Sequence, residues 1–351
     1  LSQQDDGYLV QRAMFHPDFA MAMLLTADQS TSMDGVAMGT SSEIETRTLE
    51  HPALLHADMD TFLSYLIPFV RASMENREPA FVAVQASSLA ALREAVGAEA
   101  PGVTWADTRE WHPNSSSRLR AFYEYATERL ADGATRIRLV GEPLWHEGRP
   151  DLIREWTRYE SVLNTVLAPF PVSLVCTYDT SRLDPAIVAN ARRTHPVVSD
   201  GKDAPSPDFL DPAELLRTWN PEPPPPPAWA PSLDRPADLS TARRFLREEA
   251  MRAGVTFERA MDMAMAANEI LTNALRYGRG AVALWGWPED ERFLCQIQDE
   301  GPGIADPMAG YLPPAEAMDA GRGLWLARQL VDLLQIVPNS TGTTVRLQVE
   351  R

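Results

Sequence analysis

Between Asn268 and Gly278 the chain reads NEILTNALRYG. Glu269 and Asn273 stand four residues apart, a spacing that stacks two side chains on one face of a helix. Met263, Ala267, Ile270 and Ala274 make an apolar stripe beside them, which puts the carboxylate and the carboxamide at the rim of a core. An amide oxygen is a hard ligand suited to Mg2+, which takes a few oxygen ligands together with phosphates and water. A carboxylate can accept a proton from an attacking hydroxyl or water. Taken alone, the pair reads more simply as an exposed polar face. The helix carrying it is expected to start near Thr256, as N-cap, and to stop at Gly278, as the C′ glycine.

Two later segments add chemistry. In ERFLCQIQDEGPGI (291–304), Phe293, Cys295 and Ile297 share one strand face, and period two carries Asp299 onto it. A carboxylate closing an apolar face is costly unless something pairs with it, and the exocyclic amine of a purine is one such partner. Gly301 and Gly303 follow at once and permit close backbone approach to a ligand. GRGLWLARQLVDLL then places Gly321 and Gly323 before an amphipathic helix, whose free N–H groups and dipole favour phosphate. In GTTVRLQV, Thr343 shares a face with Val345, Leu347 and Val349, so its hydroxyl is the one turned into a pocket.

In this order, E269xxxN273, D299xG301xG303, G321xG323 and Gly342-Thr343 resemble the nucleotide-binding boxes of the GHKL ATPase superfamily, over roughly residues 237–351. NALRYG and GRGLWLARQLVD most resemble the bacterial anti-sigma regulatory factor and serine/threonine kinase branch. The resemblance implies ATP and Mg2+ as cofactors, Glu269 as general base, Asn273 as Mg2+ ligand, and Asp299 with Thr343 at the adenine. It also implies Gly301 and Gly303 as the adenine-side turn. Gly321, with Arg322, Gly323 and Leu324 at the start of the following helix, becomes the phosphate-binding part of an ATP lid. The fold implied is an α/β sandwich.

The chain of 351 residues is long enough for two or three domains, and its formal charge of −17 disfavours a phosphate backbone as partner. Only Cys176 and Cys295 are present, without a CxxC pair, and the histidines show no ligand spacing in the sequence. No apolar run approaches a membrane span, so a cytoplasmic protein is expected, with no membrane and no direct nucleic acid among its partners. Residues 1–45 lack a sustained period and read as a loose N-terminal tail.

From 46 to 198 the pattern changes. FVAVQ (81–85), VTWAD (103–107), RIRLVG (136–141) and VSLVCTYD (172–179) read as buried strands. They alternate with helical stretches at 87–96, 115–130, 152–167 and 185–194, which argues an α/β parallel sheet covered on both faces. Its active side would be the carboxyl ends of the strands, at Gln85, Asp107, Glu142 and Asp179. No GxxxxGK[ST] is present, so a working P-loop is absent. GEPLW (141–145), REWTRYESVLN (154–164), PVSLVCTYD (171–179) and NARRTHP (190–196) resemble the MEDS sensory domain. That resemblance implies a RecA-like fold and the sensing of a small, hydrocarbon-like, apolar ligand. Glu142, Trp145, Trp156, Tyr159, Glu160, Tyr178, Arg193 and His195 are compatible with a ligand pocket and with ordinary core packing.

Residues 199–236, with PEPPPPPAWAPSLDRPAD, read as a semi-rigid polyproline spacer. Beyond it Ser240 is expected to cap a helix ending at Gly254. The function expected is an ATP-dependent anti-sigma factor and serine/threonine kinase, with a sigma factor and an antagonist protein as partners and a homodimer as a possible state. The alternatives are an ATP-gated binding regulator without phosphotransfer and an atypical sensor histidine kinase.

Overall fold

The computed structural model describes residues 49–97, 100–111, 114–145, 149–234, 238–278, 280–312, 321–339 and 342–351. The tail expected over 1–45 lies outside them.

The first half builds a seven-stranded sheet in the order β3-β2-β4-β5-β1-β6-β7. Its strands are β1 (Pro52–His56), β2 (Ala80–Val84), β3 (Val103–Asp107), β4 (Ile137–Gly141), β5 (Val172–Asp179), β6 (Val197–Ser199) and β7 (Asp203–Pro205). All pairings are parallel except that of the edge strand β7. Helices α1 (Met59–Asn76) and α2 (Ala86–Val96) cover one face; α3 (Ser115–Ala131), α4 (Pro150–Val166) and α5 (Pro185–Thr194) cover the other. The sequence pattern did not show β1. Its five residues PALLH are buried on both faces and so carry no period.

The second half is a five-stranded antiparallel sheet, ordered β11-β12-β10-β9-β8. Its strands are β8 (Ser232–Asp234), β9 (Val282–Glu289), β10 (Arg292–Asp299), β11 (Leu333–Asn339) and β12 (Gly342–Glu350). With α6 (Pro212–Thr218) belonging to the first half, the helices here are α7 (Leu239–Arg252), α8 (Phe257–Tyr277) and α9 (Arg322–Leu330). They share one core with the inner face of the sheet, where Phe293, Cys295, Ile297, Val345, Leu347 and Val349 alternate as expected. Thr256 caps α8, its hydroxyl accepting from Arg259 N. Gly278 ends that helix as expected, with φ of −69°; a Cβ there would meet the Ala274 carbonyl at 2.2 Å. Asp238, not Ser240, caps α7, accepting from Thr241 N at 2.7 Å. A carboxylate complements the positive end of the helix better than a hydroxyl does, and Ser240 donates to it.

Within the spacer expected over 199–236, the described residues contribute β7, α6 and β8, while the proline run between α6 and β8 forms no helix or strand. Its proline run lies against the outer face of the second sheet. Arg346 donates to the Pro224 carbonyl and Gln335 to that of Pro221. Polyproline backbone has no internal hydrogen bonds, so its carbonyls are open to donors on the sheet.

The chain also crosses back. After the turn at Gly303, Met308 and Tyr311 enter the core formed by α3, α4 and α5. The Tyr311 hydroxyl donates to Glu155 at 3.2 Å, and the Arg328 guanidinium lies 3.5 Å from the same carboxylate and 3.7 Å from the Tyr311 ring centroid. Arg158 stands 3.9 Å from Glu155 on its other side. Glu155, Arg158, Tyr311 and Arg328 are all buried. At the rim, Arg292 and Arg149 pair with Asp151; although burial works against ionisation, the two guanidinia hold that carboxyl below its ordinary pKa.

Removing the charge of Glu155 leaves two buried guanidinia uncompensated. Glu155→Gln is therefore expected to cost about 3–5 kcal/mol of stability, the scale for breaking a buried ion pair from one side. Tyr311→Phe, which removes a single hydrogen bond to a charge, is expected to cost about 1.5–3 kcal/mol. Denaturant unfolding checks the ranking, and equal midpoints for both variants and the parent would contradict it.

Candidate functional site

A cavity of about 510 Å3 opens between α8, the ends of β10 and β12, and the start of α9. Glu269, Asn273, Asp299, Gly303, Gly321, Gly323, Leu324 and Thr343 all line it. Segments more than seventy residues apart in the chain thus converge on one space. Of the residues expected there, Gly301 and Arg322 are not in the lining. Gly301 acts through its N–H, which donates to Asp299 Oδ1 at 2.7 Å.

Register explains the deep end. Asp299 is the last residue of β10 and stands directly opposite Thr343 on β12, so alternation delivers both side chains to the same inward face. Burial pushes the Asp299 carboxyl above its ordinary pKa, against the opposing Gly301 N–H. The backbone here tolerates no side chain: at Gly342, with φ of +154°, a Cβ would sit 1.7 Å from the Asp299 carbonyl. Gly303 has φ of +80° and turns the chain beside Thr343. Apolar walls come from Ile270, Ala274, Ile304 and Val345.

The shallow end is polar. Gly321, with φ of +91°, precedes α9 and offers no side-chain cap, which leaves the first N–H groups of the helix directed outward. At Gly323 a Cβ would lie 2.7 Å from Glu269 Oε2, so glycine lets this helix end touch the carboxylate. Asn268 donates to Glu269 Oε1 at 3.4 Å and accepts from Arg243 on α7 at 2.8 Å. Arg243 and Asn268 thus orient Glu269. Sequence reasoning missed both, although the residue beside a proposed base and an arginine on the preceding helix were the available signals. It also missed Arg276, which lines the cavity next to Tyr277 in the last turn of α8.

A second, smaller cavity of about 250 Å3 lies at the carboxyl ends of the parallel strands. His56, Asp58, Gln85, Glu142, Asp179 and Arg182 contribute to it. Glu142 accepts from Gln85 N at 2.8 Å and from the Gln85 amide, while burial pushes its pKa up. The lining is rich in charged and hydroxyl side chains, a better match for a polar ligand than for the apolar one expected. Arg118 fastens this edge from α3 by donating to the Glu142 and Thr108 carbonyls at 2.9 and 2.7 Å. Of the residues compatible with a pocket, Trp156, Tyr159 and Tyr178 are core. Arg193 stacks at 5.9 Å on Trp219, and Trp145 packs against Tyr178. Glu160 and His195 are buried beneath the sheet.

Residues 50–196 match the family described as MEDS: MEthanogen/methylotroph, DcmR Sensory domain. Residues 233–349 match the family described as Histidine kinase-like ATPase domain. Among solved structures, the chain is similar to the Mycobacterial sensor histidine kinase MprB at 16% identity, covering 34% of this chain and 97% of that one. The TM-score of 0.25 is too low for that likeness to carry weight. No curated protein matches the chain. With a parallel-dominated sheet in the first half and a helix-covered antiparallel sheet carrying the glycine-framed cavity in the second, the chain is a MEDS sensory domain followed by a histidine kinase-like ATPase domain.

Proposed function

We propose that this chain is an ATP- and Mg2+-dependent serine/threonine protein kinase that also acts as an anti-sigma factor, controlled by its sensory domain. The observation that carries the nucleotide assignment is the convergence of four separate sequence boxes on one cavity. The residues fit the nucleotide. The cavity is of the size that small-molecule sites take, about 300–1,000 Å3. A half-buried carboxylate with raised pKa and a buried hydroxyl at one end suit the edge of a purine, and uncapped N–H groups at the other suit phosphates.

In this role Asp299 and Thr343 read the base, Asn273 holds the metal, and the Gly321–Gly323 turn with Leu324 cradles phosphate. Bound ATP supplies the phosphoryl group. Glu269, oriented by Asn268 and Arg243, accepts the proton of the partner's hydroxyl. The partner would be a small antagonist protein, whose phosphorylation releases it and leaves the sigma factor bound. Among the described residues the histidines, His51, His56 and His195, are all buried, which disfavours these three as phosphoacceptors. Among the described residues no helix is long and apolar enough to cross a membrane.

The segment from Gly303 to Tyr311 supports regulation. One end lines the nucleotide cavity and the other is anchored on α4 of the sensory domain. A shift of α4 is therefore felt at the adenine-side turn. This observation serves equally a second reading, in which ATP organises a partner-binding surface without phosphotransfer.

Two variants test these roles. Asp299→Asn replaces an acceptor by an amide and is expected to weaken ATP binding by about 1.5–3 kcal/mol. Titration calorimetry showing unchanged affinity would remove the adenine assignment. Glu269→Gln is expected to leave ATP affinity nearly intact while phosphate transfer to a verified partner falls by about 10²–10⁴-fold. Asn273→Ala should lower magnesium-dependent binding and transfer together. If the parent releases a co-purified partner on ATP addition but labels none of it, the binding reading replaces the kinase.

A further inference from the structure

Beneath the parallel sheet, on the face covered by α4 and α5, four side chains with metal-ligating atoms converge: His51, Glu160, Cys176 and His195. They are far apart in sequence and come together through topology. His51 immediately precedes β1, and Cys176 lies on β5, the strand paired with β1. Glu160 is on α4, and His195 is the C-cap of α5. All four are buried, and one ligand atom from each lies within 4.8 Å of all the others.

The second shell sets the imidazoles. Asn164 donates its amide to the Thr194 and Ser161 carbonyls, which leaves its Oδ1 as an acceptor for His51 Nδ1 at 2.9 Å. His195 Nδ1 lies 2.9 Å from the Ala191 carbonyl, which can only accept. Each ring therefore carries its proton on Nδ1 and turns the Nε2 lone pair into the cluster. Outward N–H groups held by carbonyl-type oxygens are what fixes metal-ligating histidines in place. Facing these lone pairs is Glu160, 1% exposed, neither of whose oxygens has a hydrogen-bond partner. A carboxylate so placed, with nothing donating to it, demands a cation.

The spacing is that of a coordination shell. His195 Nε2 is 3.3 Å and His51 Nε2 3.7 Å from Glu160 Oε2, and His51 Nε2 is 3.4 Å from Cys176 Sγ. Tetrahedral Zn2+ with bonds of about 2.0–2.3 Å has ligand–ligand edges of about 3.3–3.8 Å. We propose that His51 Nε2, His195 Nε2, Glu160 and Cys176 Sγ form a closed, four-coordinate Zn2+ site inside the sensory domain. Carboxylate and thiolate together neutralise the ion, which suits a buried location. Loading breaks the Cys176 S–H bond, forms a Zn–S bond and releases one proton to solvent, with no change in oxidation state.

The test uses the full chain without an affinity tag that binds metal. Elemental analysis of the protein, after incubation with ZnCl2 and gel filtration, should give one zinc per chain. In Cys176→Ser and in His195→Gln the zinc should fall several-fold or be lost, with a far-UV circular dichroism spectrum like the parent's. Co2+ loaded in place of zinc should show tetrahedral ligand-field bands and a thiolate-to-metal charge-transfer band that Cys176→Ser removes. If a variant fails to fold, the parent alone decides: chelator treatment should lower its melting temperature and ZnCl2, but not MgCl2, restore it. Zinc retained in both folded variants, a cobalt spectrum without the thiolate band, or a parent that takes up no zinc overturns the proposal. The nucleotide site is untouched by these variants, so ATP binding measured alongside separates the two assignments.

Discussion

A helical stretch buried on all sides must account for every charge it carries, and the buried part of α4 carries three, Glu155, Arg158 and Glu160. From Glu155 to Leu163 every residue is buried, because the sheet lies against one side of the helix and the ATPase domain against the other. Glu155 and Arg158 look outward to Tyr311 and Arg328 of the ATPase domain. Glu160, five residues beyond Glu155 and so about 140° around the helix, looks inward to the histidines beneath the sheet. Each carboxylate stays in a dry interior only while its partners remain in place. That constraint makes the junction between the domains specific: a displaced α4 leaves guanidinia or carboxylates unpaired, at several kcal/mol each by the usual cost of such groups.

The nucleotide cavity obeys a different constraint, that of backbone clearance. Its framework comes from an ordinary antiparallel register and a long amphipathic helix. What shapes it is the absence of Cβ atoms where strand, turn and helix ends come too close for a side chain. Gly342 lets β12 begin against the Asp299 carbonyl, and Gly323 lets α9 begin against Glu269. Charge is then set locally. Burial keeps Asp299 a weaker acid than usual, and Glu269 is oriented by a two-residue relay from α7.

The cavity of the ATPase domain was legible in the chain because its lining residues sit in short boxes whose spacing is imposed by local geometry. Period two took Asp299 and Thr343 to one face, and period four stacked Glu269 over Asn273. The sensory strands were legible for the same reason, wherever an apolar run was bounded by turn residues. Illegible were features created by distant contacts. The run PALLH has no period because both faces are buried, and the proline segment looks like a spacer until its carbonyls meet Gln335 and Arg346. The histidines showed no ligand spacing because the strand order, not the sequence, brings His51 beside Cys176 and His195. Gly278 was legible as the helix stop, but not the close approach to Ala274 that leaves no room for a side chain there.

The double crossing of the chain bears on how such a fusion is inherited. Residues 221–224 reach from the sensory side onto the back of the ATPase sheet, and residues 308–311 reach from the ATPase side into the sensory core. The proline run looks like the natural seam at which a genome would exchange one sensor for another. A recombinant joined there would keep Met308 and Tyr311 but lose the surface that buries them, and would carry Arg328 without its acid. The unit that can be traded intact is therefore not the sensory domain. It is that domain together with the residues of the ATPase half that pack into it, Met308, Tyr311 and Arg328, so the two must change as a pair.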